Sequence, residues 1–311
     1  MMKNVMMIKQ NTNNSILWDY YLYNNSYIVS LSSNFAYSWV YRYISIKDVY
    51  VDTDYIYILS WNIIHKCNKL TLETISTSWT ISWVNWFLWK SNDYIYLNVN
   101  YSLGTSNSRI TKISKNDLSI IWTSTQAVYE DFGSAIEYWW YIYSWWHSVW
   151  WSPVCWIEKY NSNMSLNIRY TNNYWRSLNK WSFYYNWFIY EISKPDFYWN
   201  IVINKRNVLD MSISNSVWLG NWGSWLEQQM YLFWNKIYQV WYWWYIHVYD
   251  LDLSLQQSIY TSMNITSSVI TWNNLVIKWP WITNVYNLDT LSLVGSYTLS
   301  SDSLNIARIY N

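Results

Sequence analysis

MYLFWNKIYQVWYWWYIHVYDLDLSL (residues 230–255) holds three short runs in which apolar and polar residues alternate. They are separated by Trp-Asn, by a Trp/Tyr cluster and by Asp-Leu-Asp-Leu-Ser. Alternation with period two, in β-branched and aromatic residues, is the pattern of a half-buried strand. The separators are short and polar, as antiparallel hairpins require. The stretch therefore reads as Gln229–Phe233, Ile237–Val240 and Ile246–Tyr249 in antiparallel succession, with Asp252-Leu253-Ser254-Leu255 opening a fourth strand.

The same arrangement recurs along the chain. The second run has counterparts beginning at Tyr20, Tyr55, Tyr94, Tyr141, Phe188 and Leu275, spaced 35 to 49 residues apart. The third returns as Ile64-His65-Lys66-Cys67, Ile110-Thr111-Lys112-Ile113, Ile157-Glu158-Lys159-Tyr160, Ile201-Val202-Ile203 and Ile282–Tyr286. The polar turn into the fourth run returns as Asn116-Asp117-Leu118-Ser119 and Asp289-Thr290-Leu291-Ser292. No stretch sustains a helical period, so almost no helix is expected. Four strands per unit of about 44 residues is the size of a β-propeller blade. The expected fold is all-β: a seven-bladed β-propeller of four-stranded antiparallel blades, with six blades as the alternative because the first unit is short. Strands near 19–23, 26–31 and 40–46 lack an innermost partner, and Leu304–Ile309 is placed to supply it, closing one blade from both chain ends. Residues 1–15 read as an N-terminal extension and 16–311 as one domain.

The hairpins Val-Tyr-Asp-Leu-Asp-Leu-Ser (248–254) and Val-Tyr-Asn-Leu-Asp-Thr-Leu-Ser (285–292) resemble the blades of bacterial YVTN-type and quinoprotein-dehydrogenase-like propellers. The resemblance spans nearly the whole chain but rests on the blade pattern and on no active-site motif. It implies the fold. Propellers of this kind bind, scaffold or catalyse, so it leaves function open.

The chain of 311 residues has 29 Trp and only 5 Gly, where average usage would supply roughly 20 Gly. Trp favours half-buried strand surfaces, yet the clearest strand cores here contain none. It clusters at turns instead: Ser60-Trp61-Asn62, Asn186-Trp187, Trp234-Asn235, Trp272-Asn273 and the pairs at 139–140, 145–146, 150–151 and 243–244. Read as Gly, these become Gly-Asn, Asn-Gly and Gly-Gly, which accept the positive φ of hairpin turns. Together Gly and Trp make up about 11% of the chain, a sensible glycine content for a turn-dense fold. Most of these codons are accordingly read as UGA, decoded as Gly in the source and translated here as Trp. Certain bacterial lineages and their phages use UGA in that way, and abundant Asn, Lys, Ile and Tyr suits an AT-rich genome. The competing reading is a truly Trp-rich, lectin-like surface whose exposed rings stack on sugars. The two differ in what they require of the backbone. Recoding demands exposed Trp at positive φ, and a natural Trp population demands buried rings at ordinary strand φ.

With a formal charge of +1, there is no electrostatic footprint for nucleic acid or an anionic membrane. No run of 18 or more uninterrupted apolar residues suggests membrane insertion. Residues 1–15 lack the sustained apolar region of a secretory signal, which leaves the compartment open between cytoplasm, virion and export by another signal. No phosphate loop, His-Glu-x-x-His helix or Gly-x-Ser-x-Gly elbow occurs. The six arginines are scattered, and the Ser-x-Asp boxes of sialidase-like propellers are absent. His65 and His247 occupy one repeat position. Lys66, Lys112 and Lys159 occupy another, as solvated strand faces or a loose basic arc on the rim. Cys67 and Cys155 lack the spacing for zinc and are expected to be reduced.

A ligand site in a propeller lies where the loops between blades and between second and third strands converge. The longest such segments are 98–108, 126–133, 144–154, 172–181 and 214–228, and their ionisable residues are Glu130, Asp131, His147, Arg176 and Glu227. Two adjacent carboxylates with a His and an Arg suit a cation or a polar ligand. No catalytic constellation, resident metal or cofactor is expected. The functional expectation is a monomeric, non-enzymatic binding or interaction scaffold for a protein or carbohydrate partner. The alternatives are a propeller hydrolase, lyase or dehydrogenase with its site at the channel mouth, and a carbohydrate-binding surface or phage adhesin.

Overall fold

The computed structural model describes residues 20–309 apart from 24–26, 32–36, 43–44, 53, 70, 82–83, 92, 103–104, 125–127, 139–140, 149–154, 164, 173–175, 178–181, 195–200, 221–228, 242, 272, 280–281, 299–304 and 307. The described residues contain strands and turns and no helix. The chain forms two compact units, one of residues 1–81 with 263–311, the other of residues 82–262.

In the first unit, β1 (Tyr20–Tyr23), β2 (Tyr27–Leu31) and β3 (Tyr37–Arg42) form one antiparallel meander. A second consists of β4 (Ile46–Val51), β5 (Tyr55–Ser60), β6 (Ile63–Asn68) and β7 (Thr74–Thr77). The second unit carries β8 (Val84–Lys90), β9 (Tyr94–Ser102), β10 (Thr105–Ser114) and β11 (Ile120–Thr123), then β12 (Val128–Tyr138), β13 (Tyr141–Ser148), β14 (Cys155–Asn161) and β15 (Leu166–Asn172). These are followed by β16 (Arg176–Ser177), β17 (Phe183–Tyr185), β18 (Phe188–Lys194), β19 (Ile201–Asn207) and β20 (Ile213–Gly220), and by β21 (Gln229–Phe233), β22 (Lys236–Trp241), β23 (Trp243–Tyr249) and β24 (Leu255–Asn264). The first unit resumes with β25 (Ser267–Thr271), β26 (Asn274–Trp279), β27 (Ile282–Asn287) and β28 (Leu293–Thr298), and ends with β29 (Asn305–Ile306) and β30 (Arg308–Ile309).

Closure by the two chain ends is observed. β29 pairs antiparallel with β1, Leu22 opposite Ile306, and gives the sheet order β29-β1-β2-β3. β30 adds a short parallel pairing to β4. Among the described residues the sheets number six, matching the alternative count rather than seven. The reason is local: Asn107 and Ser108 of β10 pair with Tyr129 and Val128 of β12. That short ladder merges two successive four-strand meanders into one eight-stranded sheet, which periodicity along the chain does not reveal.

The repeat signature has a structural meaning in its turns. Leu72, Leu118, Met211, Leu253 and Leu291, each just before the fourth strand, have φ between 54° and 63° and are all buried. A left-handed conformation costs a side-chain-bearing residue about 1–2 kcal/mol. Burying an aliphatic side chain returns about 1.5–3 kcal/mol, so packing wins. The amides of Leu118 and Met211 donate to the carbonyls of Ser114 and Asn207 at 3.0 and 2.8 Å. Asp117 and Asp210 each accept from the backbone N–H and the hydroxyl of the serine two residues on.

Two of these turns in the second unit also receive the sheet before them. The Tyr143 hydroxyl donates to the Val208 carbonyl at 3.1 Å, and the Tyr190 hydroxyl to the Leu251 carbonyl at 2.9 Å. Around the first bond Tyr143, Ile157, Ile189, Val208 and Met211 form one apolar cluster. Around the second, Tyr190, Ile192, Ile203, Ile237 and Leu253 belong to another.

Trp combines left-handed backbone with exposure, where the left-handed Leu and Met residues are buried. Trp61, Trp187, Trp234 and Trp244 have φ of 54°, 69°, 45° and 77°. In the hairpins Tyr185-Asn186-Trp187-Phe188 and Phe233-Trp234-Asn235-Lys236 both central residues have positive φ, the geometry of a type I′ turn. Trp79 is 89% and Trp234 78% exposed, and no Trp belongs to the buried core of the described residues. Turns do not hold them all, since Trp122, Trp218, Trp241 and Trp279 fall within strands. Trp218 is 60% exposed even so.

The inter-sheet bond makes a direct prediction. Tyr190→Phe keeps the packing and leaves the Leu251 carbonyl without its donor, so urea unfolding should show a loss of about 1 kcal/mol. Tyr190→Ala should lose about 3–5 kcal/mol. Equal losses for the two variants would mean that the hydroxyl contributes nothing.

Candidate functional site

Second and third strands meet in a constant register: Tyr57 opposite Lys66, Tyr96 opposite Lys112, Tyr143 opposite Lys159, Tyr190 opposite Lys205. Each ammonium lies over the aromatic ring two residues before that Tyr. Lys66 is 4.2 Å from the Tyr55 ring, Lys112 and Lys159 are 3.9 Å from Tyr94 and Tyr141, and Lys205 is 4.3 Å from Phe188. These lysines are cation–π partners within their own sheets, and neither a shared basic arc nor a simply solvated face describes them. Lys112 is buried, and burial holds its pKa below the usual lysine value. Lys205 also reaches Asp252 of the following sheet at 2.6 Å.

Two fully buried carboxylates also have internal partners. Glu158 accepts from Arg169 Nε at 2.8 Å and Nη2 at 2.5 Å, and from the Tyr160 hydroxyl. Glu191 accepts from Arg206 Nε at 2.6 Å, Asn204 at 3.0 Å and Ser193 at 3.1 Å. A buried carboxylate survives when donors and a paired cation satisfy it, and both are satisfied from their own sheets. The sequence signal was present but unread, since both are charged residues at positions where the repeat places strand interiors.

In the segments expected to be loops at 126–133 and 144–154, residues 128–133 and 144–148 are strand. Glu130 and Asp131 lie on β12, opposite Ser148 and His147 of β13. The strands run on because β12 is braced by β10 on its other edge. Between Phe132 and Ser134 the register shifts at Gly133, a bulge of the kind found at sheet rims and beside functional sites. Arg176 lies on β16, opposite Lys194, and β16 runs alongside β13. Four of the five candidates are thus carried by adjoining strands of the second unit. Glu227 lies outside the described residues. His147 pairs on its other side with Cys155, the first residue of β14.

His65 and His247 do sit at one third-strand position, opposite Ile58 and Gln239. Burial holds both below the usual histidine pKa. His247 Nδ1 shares a hydrogen bond with the Ser258 hydroxyl at 2.9 Å and stacks on Tyr245 with ring centroids 5.6 Å apart.

With this geometry in view, the comparisons define a class. No protein-family model matches the chain, and no curated protein matches it in sequence. Its likeness to solved structures is extensive. BamB from Moraxella catarrhalis superposes with a TM-score of 0.57 at 10% identity, over 88% of this chain and 82% of that one. The dihydro-heme d1 dehydrogenase NirN gives 0.64 at 9% identity, over 98% and 67%. Hydrazine synthase of Kuenenia stuttgartiensis gives 0.64 at 8% identity, over 91% and 93%. The fold is a β-propeller with BamB-like and quinoprotein-like structural neighbours, and at these identities the likeness extends to the fold alone.

The histidines predict a pH dependence. Their folded-state pKa lies below the unfolded value of about 6.5, so the unfolded chain takes up protons first. Their contribution is complete above that pH and is lost as pH falls below it. Urea midpoints should decline between pH 7 and pH 5, and His65→Gln with His247→Gln should flatten the decline; an unchanged slope in the double variant would remove the assignment.

Proposed function

We propose that residues 16–311 form one propeller domain acting as a non-enzymatic binding or protein-interaction scaffold. We further infer that most of its Trp positions are glycine in the native polypeptide, made by a bacterial or phage source that reads UGA as Gly. The scaffold reading rests on how the described residues spend their polar and apolar groups. Buried carboxylates are committed inward, Glu158 to Arg169 and Glu191 to Arg206. Aliphatic surface is left outward on the fourth strands: Ile75 on β7, Ile120 and Ile121 on β11, Leu166 and Ile168 on β15, Leu255 on β24, and Leu293 and Val294 on β28 are all exposed. Outer strands with bare apolar residues and an unpaired edge suit a protein partner. The named neighbours include a dehydrogenase and a synthase, and those activities remain theirs.

The recoding inference is carried by four Trp at left-handed φ. A bulky residue there is an outlier, and four in one chain, three of them in tight hairpin turns, amount to a pattern. Glycine at these positions removes the strain and leaves the chain an ordinary turn-rich propeller. It also removes the aromatic surface on which the sugar-binding alternative depends.

Peptide mass spectrometry of protein from the native source, across residues 138–159, should show glycine masses at the Trp positions; tryptophan masses would overturn the recoding and put sugar stacking first. In the chain as written, Trp187→Gly and Trp234→Gly should each stabilise by about 1–2 kcal/mol, read by urea unfolding. For the scaffold, a partner cross-linked in the source organism should be lost on Leu166→Glu with Ile168→Glu while the fold is kept. Retention of that partner, or steady turnover of a small substrate by the purified chain, would defeat the scaffold reading.

A further inference from the structure

Ser267 on β25, Lys278 on β26 and Thr283 on β27 stand directly opposite one another in the first unit. All three are buried, at 8%, 1% and 0% exposure. Opposed residues of antiparallel strands share a face, with Cβ atoms about 4.5–5.5 Å apart. One lysine is therefore flanked by two hydroxyl-bearing residues on a single sheet face. Among the described residues neither the Ser267 nor the Thr283 hydroxyl oxygen has a hydrogen-bond partner.

The row replaces an apolar one. Counted from the pair Tyr57–Lys66 and its equivalents, here Val276–Val285, the places of Lys278 and Thr283 are held elsewhere by Leu59 and Ile64, by Ile192 and Ile203, and by Val240 and Ile246. Each of those pairs is opposed and buried. The third-strand place is Ile in five other repeats, at Ile64, Ile110, Ile157, Ile203 and Ile246. Burying a cation and two unsatisfied hydroxyls where Leu and Ile pack costs stability. A local rule broken without a structural return marks a functional position. Ser267 opens β25, Lys278 is next to last on β26 and Thr283 is second on β27. The row thus lies at the end of the sheet where the segment leading into β25 and the connection between second and third strands arrive. There the Thr266 amide and hydroxyl both donate to the Lys278 carbonyl, at 2.8 and 3.0 Å, which fixes the backbone that carries the lysine.

We propose that this row binds a small organic acid, with its carboxylate at Lys278 and further oxygens at Ser267 and Thr283. One cation balances one negative charge, which favours a carboxylate over a phosphate carrying nearly two. The hydroxyl-bearing residues lie on opposite sides of Lys278, each about 5 Å from it. That span exceeds the two oxygens of one carboxylate, so the ligand carries a hydroxyl or keto oxygen as well. None of the three residues is Trp, so the site is the same under either decoding. It goes beyond the scaffold reading, which concerns the outer strands.

The test is urea unfolding of the full chain in rising lactate, pyruvate or acetate at constant ionic strength, with neutral lactamide and inorganic phosphate as comparators. A ligand that binds only the folded chain raises the midpoint as its concentration rises. Lactate or pyruvate should do so more than acetate, and lactamide should not. Thr283→Val keeps the shape and removes an unpaired hydroxyl, so basal stability should hold or rise while the affinity for lactate or pyruvate falls about tenfold. Lys278→Leu with Thr283→Ile restores the apolar pair of the other repeats and should abolish the response with the basal midpoint unchanged or higher. No rise with lactate or pyruvate overturns the proposal, as does an equal rise with lactamide, a response to phosphate alone, or a response that Thr283→Val leaves intact. Should the double variant fail to fold, the unaltered chain and Thr283→Val decide. Partner binding through β15 is scored separately, so either reading can fail without the other.

Discussion

A tyrosine hydroxyl reaching the turn of the next sheet is the constraint on which the second unit depends. The bonds from Tyr143 to the Val208 carbonyl and from Tyr190 to the Leu251 carbonyl are each worth about 1 kcal/mol net. Their larger effect is positional. The accepting carbonyl belongs to a turn held open by a left-handed Met211 or Leu253, and that residue enters the cluster containing the tyrosine. Strain in the turn, burial of its apolar residue and satisfaction of its carbonyl are one arrangement, so the four-strand unit cannot be shortened or shifted in register without losing all three. The interval between repeats varies freely elsewhere, in the segments between fourth and first strands.

Much of this was legible in the sequence because it recurs. Alternating runs identified the strands, and Asp-Leu-Ser or Asp-Thr-Leu-Ser identified the turns. The lack of a strand-like sequence run before Tyr20 pointed to the C-terminal pairing that β29 supplies. The sheet count was not legible, since it turns on a ladder of Asn107, Ser108, Val128 and Tyr129 that has no counterpart in other repeats. The candidate site was partly legible. Glu130, Asp131, His147 and Arg176 were found by composition but assigned to loops, because turn-like Trp, Ser and Gly surround them. The register that relates His147 to Cys155 was available in principle. Setting Tyr143 opposite Lys159, as Tyr57 stands opposite Lys66, places the two residues together without any coordinate.

Tryptophan marks where sequence and geometry disagree about the same residue. At Trp187 and Trp234 the backbone takes the conformation that favours a residue without a β-carbon. The strands on either side register perfectly well around that turn. The hairpin is therefore specified by its flanking residues and its Asn, and the ring at the tip is left in solvent. A fold that carries its largest side chains where they bury least is internally inconsistent, and the inconsistency disappears with one change of decoding.

The β10–β12 ladder has a consequence for cooperativity. Repeat proteins generally open unit by unit, because each repeat meets its neighbours only through side chains. Here two successive units share backbone hydrogen bonds, so neither can fray without exposing amides of the other. Residues 84–172 should behave as one exchange-protected block, a stiff sector of the second unit.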